Sequence, residues 1–341
     1  MSWPVRRCYS TLEVPPVKSI WSKIAIGLML GLAVIIGLAL FADIRAVART
    51  ITGFYWPYVP AILGLTLFNY GLRFLKWHYY VRLIGAKELS WRNSLRIFVG
   101  GFPLALSPGK LAEPLKAVWL RQYSRVPVAR AVPVVAAERF SDGLAVLLLS
   151  TAGVFAYPQY WPGFAVVLAG MLSVIVVSQI RPLALWVIGQ GERLPLIARF
   201  SHHLREFYEG MYQLFGPKST LLAVGLGMVS WLGEGLGFYL VLRGLGLPPS
   251  LHLAATAVFV LSFSTIVGAV SSLPGGLGAA EASITGLLLL TVPGAHPQLV
   301  ASAALLIRFF TLWFGVALGL AVLFGSRRLL TLEIPALGES A

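Results

Sequence analysis

Long stretches without charged side chains constrain this chain more than any other feature of its sequence. No Asp, Glu, Lys or Arg occurs in five runs, at residues 24–42, 143–180, 244–280, 282–307 and 309–326. A helix that crosses a bilayer needs roughly 20 mainly apolar residues. The core helices of water-soluble domains are shorter, so these runs predict a polytopic membrane protein.

Composition and charge agree with the membrane class. Only 12% of the residues are charged, whereas soluble domains carry about 25%. The net charge of +14 comes from Lys and Arg in short loops, where they set topology and meet anionic lipid, and no nucleic-acid-binding motif accompanies them. Cys8 is the single cysteine, which excludes an intramolecular disulfide and a thiolate metal cluster.

The distribution of positive charge predicts the orientation of the chain. Lys and Arg occur before residue 24, in the loops at 82–92 and 182–217, and after residue 326, but not at 157–163, 244–250 or 292–298. The positive-inside rule then places both termini in the cytoplasm and the charge-poor loops outside. The start of the chain is polar and contains proline, so we expect no cleavable signal and a first helix at 24–42.

Two segments cannot cross the membrane simply in this topology. Residues 93–122 begin and end on the cytoplasmic side, and residues 252–292 begin and end outside. Each is interrupted near its middle, by Pro108-Gly109 and by Pro274-Gly275-Gly276. Proline lacks the amide hydrogen and glycine permits a turn, so both segments are interpreted as re-entrant hairpins. Such backbone must be surrounded by protein or line a polar cavity.

The two hairpins carry similar motifs. Val99-Gly-Gly-Phe-Pro-Leu-Ala-Leu-Ser-Pro-Gly-Lys-Leu-Ala-Glu113 resembles Val267-Gly-Ala-Val-Ser-Ser-Leu-Pro-Gly-Gly-Leu-Gly-Ala-Ala-Glu281, and each is followed by a helix with an Arg-Phe pair, at Arg139 and Arg308. Because the charges place the hairpins on opposite faces, we predict an inverted-topology repeat, which is typical of secondary transporters.

The predicted fold is therefore an all-α polytopic membrane protein with about six full transmembrane helices and two re-entrant Pro-Gly hairpins. A cytoplasmic segment at 1–22 precedes the membrane domain at 23–325, and a cytoplasmic tail follows at 326–341. Repeat A covers 57–156 and repeat B covers 218–324. A span at 163–181 and an amphipathic helix at 195–215 link them. That helix is expected on the cytoplasmic interface, with a soluble linker helix as the alternative.

Ionisable residues within the spans are candidate site residues, because each costs ~2.5–3.5 kcal/mol to insert. The basic residues suit the headgroup of an anionic substrate: Lys110, Arg139, Arg308, Arg73 and Lys116. The acidic residues would hold these cations when the site is empty or accept a proton: Glu113, Glu138, Asp142, Glu234 and Glu281. A half-helix beginning just after each Pro-Gly would add backbone amides, and arginine offers a bidentate fork for phosphate.

Other interpretations of these charges stay open. They could be structural ion pairs that lock the hairpins to the bundle, and Lys76 could extend to the membrane interface. The five histidines lack metal-ligand spacing, and neither a nucleophile elbow nor a nucleotide-binding loop occurs. We therefore expect no enzyme activity, no metal and no cofactor.

The motifs resemble the lysylphosphatidylglycerol synthase transmembrane family. The resemblance is carried by Phe98-Val-Gly-Gly-Phe, Ser107-Pro-Gly-Lys-Leu-Ala-Glu113-Pro-Leu-Lys116, Pro133-Val-Val-Ala-Ala-Glu138-Arg-Phe-Ser-Asp142 and Ser272-Leu-Pro-Gly-Gly-Leu-Gly-Ala-Ala-Glu281, and it covers about residues 20–325. It implies a free-standing lipid-translocating domain. Ala112 stands where the family commonly has glycine. The soluble aminoacyl-transferase domain of larger members has no counterpart after Leu329, so that activity is not carried over.

These observations predict translocation of an anionic phospholipid or a polyprenyl-phosphate-linked lipid across the bacterial cytoplasmic membrane. The alternatives are an accessory subunit or intramembrane enzyme of polyprenyl-phosphate glycolipid assembly, a small-anion carrier and a non-transporting scaffold. The expected partners are an anionic membrane lipid and a glycosyltransferase or lipid-synthesis enzyme, with no nucleic acid.

Overall fold

The structure is a computed structural model that describes residues 44–107, 109, 111–124, 126–156, 161–191 and 201–330, with isolated positions between 25 and 37. These residues form helices and turns without any strand, which confirms the predicted all-helical membrane fold. The predicted helix at 24–42 lies almost wholly outside the described residues. So do the segments 1–22 and 331–341, together with Pro108 and Lys110.

Thirteen helices are described along these residues. They are α1 (Ile44–Thr52), α2 (Val59–Leu83), α3 (Trp91–Gly100), α4 (Leu115–Ser124), α5 (Val128–Ala156), α6 (Trp161–Gln179), α7 (Arg181–Gly191), α8 (Ser201–Leu214), α9 (Pro217–Gly244), α10 (Leu251–Val270), α11 (Ala279–Thr291), α12 (Pro297–Phe324) and α13 (Arg327–Leu330). Short 3-10 turns at Phe102–Leu106 and Pro274–Gly276 lie within the two predicted hairpins, and α12 contains a π-helical turn at Phe309–Trp313.

Three described helices, α9, α10 and α12, are long and apolar enough to cross a membrane. Two bent pairs bring the number to five if each pair counts as one crossing. The first joins α1 to α2 at 67°, and the second joins α6 to α7 at 74°. The predicted span at 163–181 corresponds to α6. The number of six stays a prediction, because 24–42 is largely outside the described residues and α5 carries charges at its centre.

Helices α2 and α9 form a central antiparallel pair. Asn69 Nδ2 donates to the Ser230 carbonyl at 3.1 Å, and Ser230 Oγ donates to the Asn69 carbonyl at 3.3 Å. From this reciprocal contact the helices run in opposite directions, since Gly233 faces Phe68 and Gly237 faces Leu65. Antiparallel helices with reciprocal contacts are the arrangement expected at the axis of an inverted repeat.

The outer helices exchange partners around this pair. The first arm of one hairpin, α3, packs against the second half of α12, while the first arm of the other hairpin, α10, packs against α5. Glycine allows α3 and α12 to approach closely. A Cβ placed on Gly319 would stand only 2.7 Å from the Val99 carbonyl oxygen. Each repeat therefore supplies the last helix on which the hairpin of the other repeat rests.

The two hairpins occupy opposite halves of the bundle. One core cluster contains most of the buried apolar residues at 97–126, and a second cluster contains most of those at 253–292. The long helices pass through both clusters: α2 contributes Phe74 to the first and Ile62 to the second. Each hairpin thus packs with one end of the long helices.

Equivalent loops precede the two hairpins. After α2, Arg82 donates to the Lys87 carbonyl and Gly85 adopts a φ of 106°. After α9, Arg243 donates to the Leu247 carbonyl and Gly246 adopts a φ of 94°. The next helices begin at serine N-caps, Ser90 and Ser250, whose side chains accept the amides of Asn93 and Leu253. Both hairpins therefore begin with the same local structure, a loop with a left-handed glycine followed by a serine N-cap.

The amphipathic helix predicted at 195–215 is described from Ser201 onward, as α8. It packs against α5, α6 and α7, and Leu214 at its end is fully buried. Leu204 and Phe207 remain exposed. Part of its apolar face is therefore covered by protein and part is free, and its position on the membrane interface stays a prediction.

Site-directed cysteine labelling tests the predicted topology. In a Cys8→Ser background, cysteines at Gly246 and Gly294, which lie in charge-poor loops, are expected to react with a membrane-impermeant maleimide added outside intact cells. A cysteine at Lys87 is expected to react only after permeabilisation, because its loop is positively charged. External labelling at Lys87 would contradict the orientation of both repeats.

Candidate functional site

Two equivalent ion pairs stand where the hairpins meet the last helix of each repeat. In repeat A, Arg139 Nε on α5 donates to Glu113 Oε2 at 2.7 Å. In repeat B, Arg308 Nε on α12 donates to Glu281 Oε1, also at 2.7 Å. Each arginine thus uses the same nitrogen to hold the glutamate that follows the Pro-Gly break of its own hairpin.

The second hairpin is fixed by its break as well as by its glutamate. Gly275 and Gly276 have positive φ angles of 62° and 66°, and the Gly275 carbonyl accepts from Arg308 Nη2 at 2.6 Å. Glu281 Oε2 accepts the Gly278 amide at 2.7 Å, just before α11 begins at Ala279. Arg308 and Glu281 together therefore determine where the chain turns and where the half-helix starts.

The first hairpin differs from this pattern at its half-helix. The expectation that a half-helix begins directly after Pro108-Gly109 is wrong here, because residues 111–114 form turns and α4 begins at Leu115. Ser107 holds these turns: its hydroxyl donates to the Leu104 carbonyl at 2.7 Å and accepts the Ala112 amide at 3.0 Å. Since Pro114 lacks an amide hydrogen, it suits the start of the helix.

A second set of buried charges lies between α2, α4 and α5. Lys76 Nζ pairs with Asp142 Oδ1 at 2.6 Å, and Lys116 Nζ pairs with Glu138 Oε2 at 2.7 Å. Arg73 bridges the two carboxylates, at 3.5 Å from Glu138 and 3.2 Å from Asp142. Lys116 also lies over the Trp77 ring, 4.3 Å from its centroid, which stabilises the buried ammonium.

Lys76 does not extend to the membrane interface, so that interpretation of the sequence is wrong. Its side chain is 0% exposed and its ammonium is held by Asp142. A lysine that extends outward needs a free path to the interface, whereas Lys76 lies beneath the aromatic residues of the first core cluster, among them Trp77 and Tyr80. The Asp142 carboxylate provides a closer partner than the interface could.

The hairpin tips touch each other between the repeats. The Gly109 amide donates to the Ser272 carbonyl at 2.9 Å, so the break of one hairpin is hydrogen-bonded to the break of the other. Leu106, Leu277 and Val316 pack together beside this bond. Backbone without regular structure is tolerated at depth when protein surrounds it, and here each hairpin covers the other.

The charges of the two repeats form a connected set, here called the row, in which each charge lies within electrostatic range of the next. Arg139 interacts electrostatically with Glu138 and Asp142, which in turn hold Arg73. Glu234 on α9 lies within electrostatic range of Arg73 and of Arg308. The row therefore joins the arginine of repeat A to the arginine of repeat B through α2 and α9.

Two polar contacts that the sequence analysis missed follow the same symmetry. Tyr70 Oη donates to the Thr311 carbonyl at 2.6 Å, and Trp231 Nε1 donates to Asp142 Oδ1 at 3.3 Å. Tyr70 and Trp231 have the same sequence separation as Asn69 and Ser230. Thr311 lies in the π-helical turn, an irregularity that is frequent at functional sites. Aligning α2 with α9 in the sequence would have revealed the pair.

Access to the two arginines distinguishes them from the second set of charges. The Arg139 side chain is 32% exposed and that of Arg308 is 17% exposed, whereas Glu113 and Glu281 are both 3% exposed. Lys116 is also 3% exposed and Glu138 is 1% exposed. The arginines can therefore be reached by a ligand, while their carboxylate partners and the second set are enclosed.

Comparison with known proteins identifies the family. The profile described as the lysylphosphatidylglycerol synthase TM region matches residues 28–319. The chain belongs to this family. Two UPF0104 membrane proteins of Methanothermobacter thermautotrophicus are each 28% identical to it. One match covers 86% of this chain and 90% of the relative, and the other covers 63% and 69%. No solved structure matches the chain with comparable significance. Membership of this family indicates a multi-pass, lipid-related membrane protein.

Loss of Lys76 is expected to destabilise the protein. Lys76→Met removes the closest partner of the buried Asp142, and breaking a buried pair on one side costs about 3 kcal/mol or more. The exposed pair of Arg181 and Glu209 is the matched control, since Arg181→Gln should change stability by no more than about 1 kcal/mol. Unfolding in mixed micelles measures both, and equal stabilities of the two variants would contradict this account.

Proposed function

We propose that the protein moves an anionic lipid between the two leaflets of its membrane, without hydrolysing a nucleotide itself. The observation that carries this proposal is the pair of equivalent, accessible arginines, Arg139 and Arg308, one at the hairpin of each repeat. Guanidinium groups bind phosphate through several N–H donors, and both arginines here hold their glutamates through Nε. Among the described contacts, a phosphate can bind the terminal nitrogens of Arg139 and Nη1 of Arg308, since Arg308 Nη2 already donates to the Gly275 carbonyl.

Exchange of partners gives a route for the headgroup. A lipid phosphate that binds Arg139 competes with Glu113, and one that binds Arg308 competes with Glu281. Because Glu281 also holds the Gly278 amide, releasing Arg308 from it loosens the hairpin from α12 without removing the helix cap. Occupancy of the site would in this way be coupled to movement of a hairpin, which is a two-state element of the kind that transporters use.

The row of charges between the arginines suits a headgroup rather than acyl chains. A phosphate at the membrane centre needs compensation by several cations, and this row contains Arg73 as well as the two accessible arginines. The acyl chains can stay in the bilayer beside the exposed apolar side chains of α2 and α9, among them Leu67 and Leu232. Only the polar part of the lipid would pass through protein.

The re-entrant placement of the hairpins belongs to this proposal. The hairpins lie in opposite halves of the bundle and meet at their breaks, which is the geometry of two hairpins that enter from opposite faces. Helix α10 is itself long enough to cross. A cysteine at Val270, which is exposed at the end of α10, is expected to resist aqueous maleimide from both sides. Reaction from the cytoplasm would instead indicate a complete crossing.

Purified protein in liposomes separates the candidate functions. The vesicles carry phosphatidylglycerol labelled on an acyl chain, and the label is followed between leaflets and then recovered for mass spectrometry. We expect the label to change leaflets with an unchanged mass. A changed mass would indicate an enzyme acting on the lipid. Uptake of free glycerol phosphate without movement of the label would indicate a small-anion carrier.

A further inference from the structure

Glu234 differs from every other buried carboxylate of the described site, because it has no ion pair and its side chain accepts no hydrogen bond there. Glu113, Glu138, Asp142 and Glu281 are each paired with a cation at 3.5 Å or less. Glu234 is only 7% exposed and lies in the middle of α9. Burying a carboxylate without a partner costs free energy, so we expect its negative charge to be neutralised at some stage by a bound cation or proton.

The repeat explains why this carboxylate lacks a partner. Asn69 and Ser230 are 161 residues apart in the sequence, and so are Arg73 and Glu234. Arg73 and Glu234 therefore occupy equivalent positions on α2 and α9. Arg73 faces Asp142 on α5, but the equivalent of Asp142 on α12 is Thr311, which carries no charge. Repeat B therefore presents a carboxylate where repeat A presents a cation with partners.

The titratable groups near Glu234 come from three of the four helices that pack on the central part of α9. Tyr70 and Arg73 lie within electrostatic range of it on α2, Asp142 on α5 and Arg308 on α12. Helix α10 contributes no charged residue, and its one histidine, His252, lies at its first turn. Arg73 is held by Glu138 and Asp142, and Arg308 by Glu281, and in the described site neither arginine forms a salt bridge with Glu234.

The charges of the described site balance only while Glu234 is ionised. Five cations, Arg73, Lys76, Lys116, Arg139 and Arg308, stand against five carboxylates, Glu113, Glu138, Asp142, Glu234 and Glu281. An anionic headgroup that enters adds a negative charge to this balance. Uptake of a proton by the one unpaired carboxylate would restore neutrality, which a low-dielectric site requires.

We propose that Glu234 is the proton-binding residue of a lipid–proton symporter. The proposal rests on the proposed function, because it assigns the coupling ion to the same site. A proton from water binds the Glu234 carboxylate when the lipid phosphate engages Arg308, and it leaves on the other side with the lipid. No covalent bond other than the O–H bond of the carboxyl group is made or broken, and one negative and one positive charge move together.

Proton movement is measured in liposomes that contain a pH-sensitive dye and chain-labelled phosphatidylglycerol in one leaflet. With wild-type protein, movement of the lipid is expected to carry protons in the same direction, and a membrane potential set with potassium and valinomycin should leave the rate unchanged. Movement of lipid without protons would overturn the proposal and leave the proposed function intact. Absence of any lipid movement would instead count against the proposed function itself.

Substitution of Glu234 provides the second test. Glu234→Gln is expected to lose proton movement and the ability of a pH gradient to accumulate lipid in one leaflet, while passive exchange of lipid continues. Its stability should equal or exceed that of the wild type, since a buried carboxylate without a direct partner is removed, whereas the control Glu138→Gln should be less stable because Lys116 loses its partner. Gradient-driven accumulation by Glu234→Gln, or accumulation driven by sodium rather than by protons, would overturn the assignment.

Discussion

Glutamine in place of Arg308 is expected to abolish movement of anionic lipid while the protein still folds and inserts. Arg308 binds Glu281 and the Gly275 carbonyl, so it supplies both the cation and the link between hairpin and helix. Glutamine keeps a hydrogen-bond donor at the position of Nε but removes the terminal nitrogens and the charge that a phosphate needs. We expect the rate to fall at least about a hundredfold, as loss of a charged contact of ~3 kcal/mol implies.

Stability has to be separated from transport in this experiment. Arg308→Gln leaves Glu281 buried without its cation, which lowers stability whatever the function of the pair. The double variant Arg308→Gln, Glu281→Gln removes both charges and should regain stability. If the pair is only structural, the double variant regains transport as well. If Arg308 binds the lipid, it regains stability alone. Full transport by Arg308→Gln would remove this arginine from the mechanism.

The equivalent substitution in repeat A is expected to have the same effect. Arg139 pairs with Glu113 in the same geometry, and the proposed mechanism uses both arginines for the headgroup. Arg139→Gln should therefore also stop net movement. Arg181→Gln, which alters an exposed pair far along the chain from the hairpins, is the matched control and should transport normally.

Alanine at Gly276 is expected to be the most destabilising small substitution in the second hairpin. Gly276 has a φ of 66°, and its ideal Cβ would stand 2.9 Å from the Gly268 Cα. The left-handed conformation costs an alanine about 1–2 kcal/mol, and overpacking adds about 1–3 kcal/mol. The midpoint of unfolding in mixed micelles should fall accordingly.

Gly286 provides the control for this substitution. It lies on α11 of the same hairpin, and its ideal Cβ would meet nothing within 4 Å. Gly286→Ala should leave stability equal or slightly raised, since alanine favours a helix by ~1 kcal/mol over glycine. Similar stability of Gly276→Ala and Gly286→Ala would show that the hairpin does not depend on the close contact between Gly268 and Gly276.

Periodicity, loop charge and the Pro-Gly breaks predicted most of the helical architecture. These signals are local: a proline or a charge-free run acts on the chain within a few residues of its position. The loops at Arg82–Gly85 and Arg243–Gly246 are equally local signals, and aligning them in the sequence also aligns Arg73 with Glu234.

Pairing of the buried charges could not be predicted, because it depends on rotation of helices about their axes. Lys76 and Asp142 are separated by 66 residues, and only the packing of α2 against α5 brings them to 2.6 Å. The start of α4 was also mispredicted, since the turns at 111–114 depend on two hydrogen bonds of Ser107. Contacts between distant elements decide the ion pairs, whereas the start of α4 depends on side-chain hydrogen bonds that the Pro-Gly motif alone does not indicate.

The headgroup dependence of lipid movement tests the central claim most directly. Liposomes that hold the wild-type protein receive, in parallel, chain-labelled phosphatidylglycerol or chain-labelled phosphatidylcholine with identical acyl chains. If the arginines of the two repeats bind a lipid anion, the initial rate for phosphatidylglycerol should clearly exceed both the rate for phosphatidylcholine and the rate in protein-free vesicles. Equal rates for the two lipids, or rates no higher than in protein-free vesicles, would contradict the account.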